Sequence, residues 1–476
     1  MRSIVAMALL VAAAAVAGAQ ATTYDLVVAN GRVMDPESGL DAVRHVGISG
    51  GRIVAVSEAP LRGRRVIDAT NHVVAPGFVD LHEHGQREES YRMMVRDGVT
   101  SAFELEVGTE DVAKWYAERE GGQLVNYGVS IGHIRVRMKV LGDPSKDLLP
   151  AGVGGTGTAT EAQVAEMEAL MRRGLAEGAV AAGFGSAYTP GAPMDEIRRM
   201  FTVAAEGNAS AHIHMRGGVA GLDSTIATAA ATGVKLHIVH VNSSTGENTL
   251  STFLARIQAA RDGGQDVTTE AYPYGAGMTS IQSALFDDWE TWPDERFARH
   301  QLVATGERLT RKTFGEARAR GGTVITHGRS EAQTRAAIVS PLTMVASDGF
   351  IENGRGHPRT SGSYAKVLGK YVREERALTL MDALRKMTIE PARRLEARAP
   401  AMAAKGRIRE GVDADLTIFD PATVIDRATY EDAGIPSAGI PFVIVGGQVV
   451  VDRGQVTTAR PGRAIRAPTS SAPRGQ

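Results

Sequence analysis

Short apolar segments alternate with amphipathic segments through the middle of this 476-residue chain, and they constrain its fold more than any other feature. Stretches between them, such as Glu161–Glu177 and Met194–Glu206, have the periodicity of helices. Strands that alternate with helices favour a parallel sheet closed into a TIM-like (β/α)8 barrel, an α/β fold. The eight apolar segments are Val73–Leu81, Val99–Glu106, Asn126–His133, Ala179–Ser186, Ser210–His214, Lys235–Val241, Asp266–Tyr272 and Leu342–Asp348.

The sequence near each chain end predicts short β-strands that are separated by turns rich in Gly and Asn. Residues 22–75 and 406–460 are predicted to form one small β-sandwich built from both ends, with the barrel over residues 76–405. The stretch from about 275 to 321 is too long for a simple connection and predicts an inserted lid, followed by a further strand, Thr323–Thr326. Residues 461–476 are rich in Pro, Ser and Arg and are predicted to be a disordered tail.

The first residues have the pattern of a secretory signal peptide. Arg2 precedes the apolar run Ile4–Val16, and the small residues around Ala19 and Ala21 fit a cleavage site. The run is short for a bilayer span, so cleavage is preferred to anchoring. We therefore predict a signal peptide over residues 1–21, export to the periplasm or medium, and no membrane attachment after cleavage.

Charge and composition exclude several classes of function. The chain has 53 Lys and Arg against 54 Asp and Glu, a net charge of -1, and only 5% aromatic residues. This balance gives no electrostatic basis for binding nucleic acid. There is no cysteine. Disulfides, thiolate metal sites and cysteine nucleophiles are thereby excluded, and a metal would need His, Asp, Glu or a modified Lys.

The first barrel strand ends in His82 and His84, the strongest chemical signal in the chain. Residues two apart in a strand face the same way, so both imidazoles are predicted to point into the barrel mouth. Two imidazoles on one face at this position form half of a metal site. A pair of structural core histidines is the alternative, and the shared face disfavours it.

Other strands end in further candidate ligands. His214, His240 and Asp348 each follow an apolar strand, where the ligands of a barrel enzyme are expected. His212 would lie one layer deeper and is expected to be a buried support. His237 is out of phase with His240 and is expected to pack outward.

The segments around these residues resemble the amidohydrolase superfamily and, within it, the N-acyl-D-amino-acid deacylases (D-aminoacylases). The His-x-His strand and the strand-eight Asp348 are typical of the superfamily, and the run Tyr272–Tyr274 and the segment Ser347–Arg359 resemble the deacylase branch. The resemblance implies a barrel with a terminal β-sandwich, one or two Zn2+ ions or another divalent metal, and amide hydrolysis. It also implies that Asp348 is the general base as well as a ligand.

The chain departs from these relatives at the position that bridges two metals. Many superfamily members use a modified lysine on strand four, and D-aminoacylases use a cysteine after strand two; Gly178–Tyr188 has no lysine, and the chain has no cysteine. Glu104 and Glu106 stand at the end of strand two instead, on one face of the strand, with Glu106 nearer the mouth. A carboxylate can bridge two cations. We predict Glu106 as the bridging ligand, with Glu104, roughly 6.6 Å deeper by strand rise, as the alternative or a supporting group.

The resemblance also implies a set of substrate contacts. Arg359 is the expected partner of a substrate carboxylate. Tyr274, Tyr188 and Ser363 occupy similar loops, and Asn242 stands where a D-aminoacylase has lysine. Arg216, Arg135 and His133 are predicted to face the same mouth, with Arg216 and His133 as supporting or alternative groups. For Arg135 and Arg216, a solvated or ion-paired role is equally compatible with the sequence.

The leading hypothesis is deacylation of an N-acyl-D-amino acid, a small substrate, by metal-activated water. Hydrolysis of a cyclic amide, as by a dihydroorotase or hydantoinase, is the first alternative, and the missing strand-four lysine disfavours it. A peptidase acting on dipeptides or aromatic amides is the second. The third, a non-catalytic binding protein on the same scaffold, is disfavoured because every expected ligand position is occupied.

Overall fold

The computed structural model describes residues 23–246 and 248–469. The predicted signal peptide lies outside these residues. Among the residues described, no helix is both long and apolar enough to cross a membrane.

An eight-stranded parallel barrel forms the centre of the structure, as the alternating pattern predicts. Its strands neighbour one another in chain order. The first and eighth approach at their ends, where Asp348 N donates to His82 O at 2.7 Å and Glu83 pairs with Gly349. Barrel strands one to eight are Phe78–Asp80, Val99–Thr109, Asn126–Gly132, Ala182–Gly185, Ser210–His214, Lys235–Ile238, Val267–Ala271 and Thr343–Val345.

Helices surround the barrel and bury apolar faces against the strands. Those before the insertion are Glu88–Arg96, Val112–Ala117, His133–Leu141, Val153–Thr156, Glu161–Ala176, Met194–Glu206, Gly218–Thr232 and Leu250–Asp262. Those after it are Glu331–Val339, Arg359–Lys366, a π-helix over Val367–Glu374, Leu380–Met387, Ile389–Glu396 and a 3-10 helix over Pro400–Ala404. Thr160 and Gln163 form a reciprocal cap at the start of Glu161–Ala176, which explains its sharp boundary.

Strands from both chain ends form a second, nine-stranded sheet with its own apolar core. The predicted first barrel strand is divided between the two sheets: Val73–Pro76 pairs with Leu416–Phe419 in the terminal sheet, and Phe78–Asp80 enters the barrel. The terminal sheet thereby holds the entry to the strand that carries His82. Its strands are Thr23–Asp35, Leu40–Ser49, Arg52–Ser57, Arg62–Asp68, Val73–Pro76, Leu416–Phe419, Phe442–Val445, Gln448–Asp452 and Gln455–Val456.

The insertion after strand seven extends beyond the predicted boundary. Its antiparallel sheet consists of Ala276–Ser280, Thr323–His327 and His300–Leu302, so the strand expected to follow the lid is its central strand. Trp292 and Phe314 belong to a separate apolar core inside it. The helices Asp294–Phe297 and Arg311–Arg320 and the 3-10 turns Ala284–Phe286 and Trp289–Thr291 complete the insertion. A short hairpin, Ile351–Glu352 with Arg355–Gly356, follows strand eight.

The predicted disordered tail is wrong for residues 461–469. Gly462 and Ala464 pair with Gln123 and Tyr127, and Ile465 is 3% exposed. Ile465 joins the apolar cluster that contains Val79 of barrel strand one and Leu395 of the helix Ile389–Glu396. The packing comes from single apolar residues that lie among the prolines. The average composition of the segment does not show them. Residues 470–476 lie outside the described part of the chain.

The tail is expected to stabilise the barrel. Ile465→Ala should lower the free energy of unfolding by about 2–5 kcal/mol, because it removes a buried side chain from a packed cluster. Arg463→Ala, at an exposed side chain of the same tail, should change it by less than about 0.5 kcal/mol. Denaturant titration of both variants measures the difference, and equal effects would contradict a packing role.

Candidate metal centre

The barrel fold brings the predicted ligands together at the C-terminal ends of its strands. His82, His84, Glu106 and Asp348 place ligand atoms within 4.8 Å of one another, and Glu106, His214 and His240 do the same. We call these the first group and the second group. Glu106 belongs to both. The metal-binding role of each residue stays a prediction, but the positions are those that a shared centre requires.

The first group is compact around the Nε2 atoms of its two histidines. These atoms lie 3.1 Å apart, and Asp348 Oδ1 is 3.4 Å from His82 Nε2 and 3.3 Å from His84 Nε2. Glu106 Oε2 is 2.6 Å from His82 Nε2. All four donors therefore converge on one point.

The second group completes a pair of adjacent positions. Glu106 Oε1 lies 3.0 Å from His214 Nδ1, and Glu106 Oε2 lies 3.6 Å from His240 Nε2. Because Oε2 also lies 2.6 Å from His82 Nε2, one carboxylate contacts both groups. His240 and Asp348 have positive φ angles, 31° and 53°, which are costly for residues other than glycine. Backbone strain at two strand ends that carry these side chains is typical of a functional site.

Glu104 lies beside the centre rather than within it. Its Oε2 is 2.7 Å from His84 Nδ1, and its Oε1 accepts hydrogen bonds from Val107 N and Gly108 N. Gly108 has a φ of +65°, which allows the turn that presents these amides. Glu104 therefore orients His84.

Both central carboxylates are held ionised. Burial raises the pKa of Glu106, but His82 and His214 outweigh burial and hold that pKa well below its usual value. Burial also raises the pKa of Asp348, but Arg359 and His82 outweigh it and hold the pKa below its usual range. Ionised carboxylates are the form that binds a cation or accepts a proton.

Arg359 is buried against Asp348 instead of lining open space. Its Nη1 lies 2.7 Å from Asp348 Oδ2, its Nη2 donates to Met278 O, and its guanidinium covers the Tyr272 ring at 4.5 Å. Its Nε has no partner among the described residues. Arg359 therefore fixes the second oxygen of Asp348, and contact with a substrate carboxylate stays a prediction.

Tyr188 is the predicted substrate contact that lies in the pocket. Its ring packs edge-on against His214, with centroids 4.5 Å apart, and its hydroxyl lies 3.4 Å from Thr279 Oγ1 on the insertion. Barrel and insertion therefore meet over the second group.

Three other predicted contacts are engaged elsewhere. The Tyr274 hydroxyl donates to Asp426, Ser363 Oγ donates to Arg359 O within its helix, and Asn242 Nδ2 donates to Tyr272 O. None of the three lines the pocket over the centre. Spacing along the loops could not reveal these partners, since Asp426 is distant in sequence from Tyr274.

Arg216 and His133 were predicted to face the mouth. Both side chains instead bind other parts of the protein. Arg216 donates to the carbonyls of Thr189, Pro190 and Ala192. His133 begins a helix, and its Nε2 contacts Glu196 at 2.7 Å. Strand three ends one residue before His133, so the expected inward direction is wrong for this side chain.

The sequence did not single out Glu270, which lies beneath the centre. Glu270 Oε1 is 2.5 Å from His82 Nδ1, and Oε2 is 3.0 Å from His237 Nε2. An acidic residue at the end of the apolar strand Val267–Ala271 is a signal that could have identified it. The expectation that His237 packs outward is wrong: strand six ends at Ile238, and the positive φ of His240 breaks the alternation used to assign faces.

Asp80 joins the strands that carry His82 and Asp348. Its Oδ1 accepts from His82 N at 3.0 Å and from Ser347 N at 3.2 Å. Burial raises the pKa of Asp80 to about 6. Asp80 therefore fixes the relative register of barrel strands one and eight at the centre.

A cavity of about 560 Å3 opens above the two groups. Its lining contains apolar residues, such as Val107, Leu149 and Met278, together with Tyr188 and charged residues such as Arg135. Arg135 is paired with Glu110 at 3.1 Å. The volume suits a small organic molecule.

The donor set fits a divalent cation. Four imidazoles and two carboxylates converge on a buried space, and both carboxylates are held ionised. Nitrogen and oxygen donors in this mixture suit zinc and similar ions.

Comparison with known proteins identifies the family. The sequence pattern described as Amidohydrolase family matches residues 137–451. An N-acyl-D-glutamate deacylase of Alcaligenes xylosoxydans xylosoxydans is 30% identical, over 94% of this chain and 98% of that protein. The chain belongs to the amidohydrolase family. It is a metal-dependent hydrolase of C–N bonds other than standard peptide bonds.

Solved structures agree with this amidohydrolase over nearly its whole length. One is an N-acyl-D-glutamate deacylase from Bordetella bronchiseptica, complexed with zinc and a phosphonate mimic of the tetrahedral intermediate. It is 26% identical to this chain, and the two structures superpose with a TM-score of 0.81 over 94% of this chain and 100% of that one. A D-aminoacylase mutant in complex with CuCl2 is 25% identical with a TM-score of 0.79, covering 93% and 100%. These neighbours and the converging donors support a divalent metal in this amidohydrolase.

Proposed function

We propose that this amidohydrolase removes the acyl group from N-acyl-D-amino acids, using Zn2+ held by the first and second groups. The observation that carries the proposal is the sharing of Glu106 between two adjacent groups beneath a cavity of about 560 Å3. The named activities of the relatives, which act on N-acyl-D-amino acids, support the substrate class.

Different residues have different proposed roles in hydrolysis. When bound, a divalent ion lowers the pKa of water and polarises a carbonyl oxygen. Asp348, ionised and close to the Nε2 atoms of His82 and His84, accepts the proton of the attacking water and returns it to the departing nitrogen. Arg359 holds the other oxygen of Asp348 and keeps Oδ1 directed toward the centre. Glu106 and the four histidines would bind the cation.

The cavity walls orient the acyl compound. Tyr188 stands over His214 with its hydroxyl at the junction with the insertion, where it can donate to a substrate oxygen. Arg359 is buried against Asp348 and is not part of the cavity lining, so its proposed contribution is to hold Asp348.

We also propose that the enzyme acts outside the cytoplasm, in the periplasm or the medium. The support is the positive start and apolar run before Ala21.

A substrate panel tests the proposed activity. We expect N-acetyl-D-amino acids to be hydrolysed with kcat/KM values at least about 100-fold above those of the L-enantiomers, hydantoins and dihydroorotate, a discrimination of about 2.7 kcal/mol. Elemental analysis of the same sample should find zinc, and a chelator should abolish hydrolysis.

Other outcomes of the panel would overturn the proposal. Ring opening of hydantoins without deacylation would assign a cyclic-amide hydrolase. Cleavage of dipeptides alone would assign a peptidase, and the absence of metal with no hydrolysis would favour a binding protein.

A further inference from the structure

The first strand of the insertion, Ala276–Ser280, is an edge strand whose outer carbonyls bind side chains from the segment after barrel strand eight. In the described part of the chain, it pairs with the central strand of the insertion alone. Along its other edge, His357 Nε2 lies 3.1 Å from Ala276 O. Arg359 Nη2 donates to Met278 O at 3.3 Å. Alternate carbonyls of a strand point to the same edge, so two side chains in the order His-x-Arg bind two carbonyls of this edge.

His357 uses both ring nitrogens, which fixes its tautomer. Its Nδ1 accepts a hydrogen bond from Arg359 N at 3.1 Å, because a backbone amide can only donate. Its Nε2 therefore carries the proton and donates to Ala276 O. The ring is fully buried, and burial together with the nearby Arg359 guanidinium holds its pKa well below the usual value. A neutral ring thus joins the insertion to the residue that pairs with Asp348.

Arg359 continues this connection to the proposed base. Its Nη1 lies 2.7 Å from Asp348 Oδ2, while its Nη2 binds the carbonyl of Met278. The helix that begins at Arg359 packs closely on the turn after Asp348, since a Cβ at Gly349 would collide with the side chain and amide of Thr360. Arg359 is 1% exposed, so water has little access to either contact. One guanidinium therefore holds both Asp348 Oδ2 and the insertion strand.

The same strand forms part of the cavity wall. Met278 and Thr279 line the cavity that also reaches Asp348. The insertion has an apolar core of its own. Contacts between its first strand and the barrel loops, rather than that core, therefore fix the wall relative to the centre.

We infer that His357 is a positioning residue that, together with Arg359, fixes the cavity wall formed by Ala276–Ser280 relative to Asp348. The inference rests on the proposed function, in which Asp348 is the general base. It adds that the orientation of this base depends on a histidine remote from both substrate and cation. His357 does not line the cavity, and it is not among the donors that converge at the centre.

Two substitutions separate the two hydrogen bonds of His357. His357→Asn keeps an acceptor near the position of Nδ1 but is too short to reach Ala276 O, whereas His357→Gln keeps a donor near the position of Nε2. With N-acetyl-D-amino acids as substrates, His357→Asn should lower kcat about 10- to 100-fold, the effect of a small displacement of a reacting group. KM should change less than about threefold, because His357 contacts no substrate. His357→Gln should recover kcat to within about threefold of wild type, since it keeps the connection to the insertion.

His327→Asn is the matched control. His327 lies in the central strand of the same sheet, and its Nε2 is 2.9 Å from Gln301 Oε1 within the insertion. It has no hydrogen bond to His357 or Arg359 among the described residues. Its substitution should change kcat by less than about twofold.

Hydrogen–deuterium exchange of the full-length protein gives a readout that does not depend on activity. The amides of Ala276–Ser280 should exchange faster in His357→Asn than in wild type, because a segment opens locally when contacts that hold it are lost. His357→Gln should exchange at the wild-type rate. Elemental analysis should find wild-type metal content in both variants, since no proposed donor is changed.

The outcomes distinguish this inference from the proposed function. An active wild type with unchanged kcat in His357→Asn would overturn the inference alone. A raised KM with unchanged kcat would show that His357 only packs the wall, and would also overturn it. If the wild type hydrolyses no N-acetyl-D-amino acid, the proposed function fails, and unchanged exchange in His357→Asn would then reject the connection separately.

A second variant applies if His357→Asn does not fold. Arg359→Lys replaces the forked guanidinium by a single ammonium group, which cannot bind Asp348 and Met278 O with the same geometry. It should lower kcat and speed exchange across Ala276–Ser280 in the same way. Wild-type values of both in Arg359→Lys would overturn the inference.

Discussion

Glu106→Ala is expected to lower kcat/KM by about a thousandfold or more, a loss of about 4 kcal/mol in transition-state stabilisation. Glu106 is the residue that contributes to both donor groups, with oxygens 2.6 Å from His82 Nε2 and 3.0 Å from His214 Nδ1. Its removal leaves four buried imidazoles with one carboxylate, so both cation positions should weaken together. Elemental analysis and steady-state kinetics on the same preparation measure the two losses.

Glu104→Ala is the matched control for this prediction. Glu104 is also a buried glutamate of barrel strand two, but it contacts only His84 and backbone amides. We expect it to lose less metal and less activity than Glu106→Ala, since one imidazole loses its support while every donor remains. Wild-type metal content in Glu106→Ala would remove Glu106 from the centre.

Asp348→Asn is expected to lower kcat by about 10^2- to 10^4-fold, the usual contribution of a general base. An amide cannot accept the proton of water, although it keeps the shape of the carboxylate. Because the pKa of Asp348 is held below its usual range, the wild-type residue is fully ionised at neutral pH. KM should change less than kcat, since the side chain acts on the reacting water. Steady-state kinetics over a range of pH check the split.

The same variant separates the two cation positions. Asp348 belongs to the first group only, so binding at His214 and His240 should persist in Asp348→Asn. Circular dichroism should accompany the kinetics, because Arg359 would lose its buried ionic partner at a cost of about 3–5 kcal/mol. A folded variant that retains metal and kcat within tenfold of wild type would show that Asp348 is not the base.

The barrel was predictable because its signals are local. Most of the barrel strands lie in short apolar runs. The burial of such a run can be predicted from its own residues, without knowledge of distant ones. The shared face of His82 and His84 follows from strand geometry alone. The preference for Glu106 over Glu104 as the residue nearer the mouth follows from the same alternation.

Predictions failed where local alternation stopped. His237 and His240 both point inward because strand six ends at Ile238 and the alternation breaks before His240. His133 turns away because a helix begins there. The tail around Ile465 was assigned by average composition, yet its packing depends on single apolar residues. Tyr274 was assigned by its place in a loop, and its actual partner, Asp426, comes from a remote segment.

By itself, the sequence determined the barrel, its strands and the residue types at the strand ends, because hydrophobic periodicity and side-chain alternation act over a few residues. Only the tertiary structure decided which of those side chains meet. Closure of the sheet brings Glu106 between His82 and His214, places Glu270 behind His82, and encloses Arg359 against Asp348. Two of these four contacts, Glu106 with His214 and Glu270 with His82, join residues more than a hundred positions apart. Their distances are set by strand order and register, which no local pattern contains.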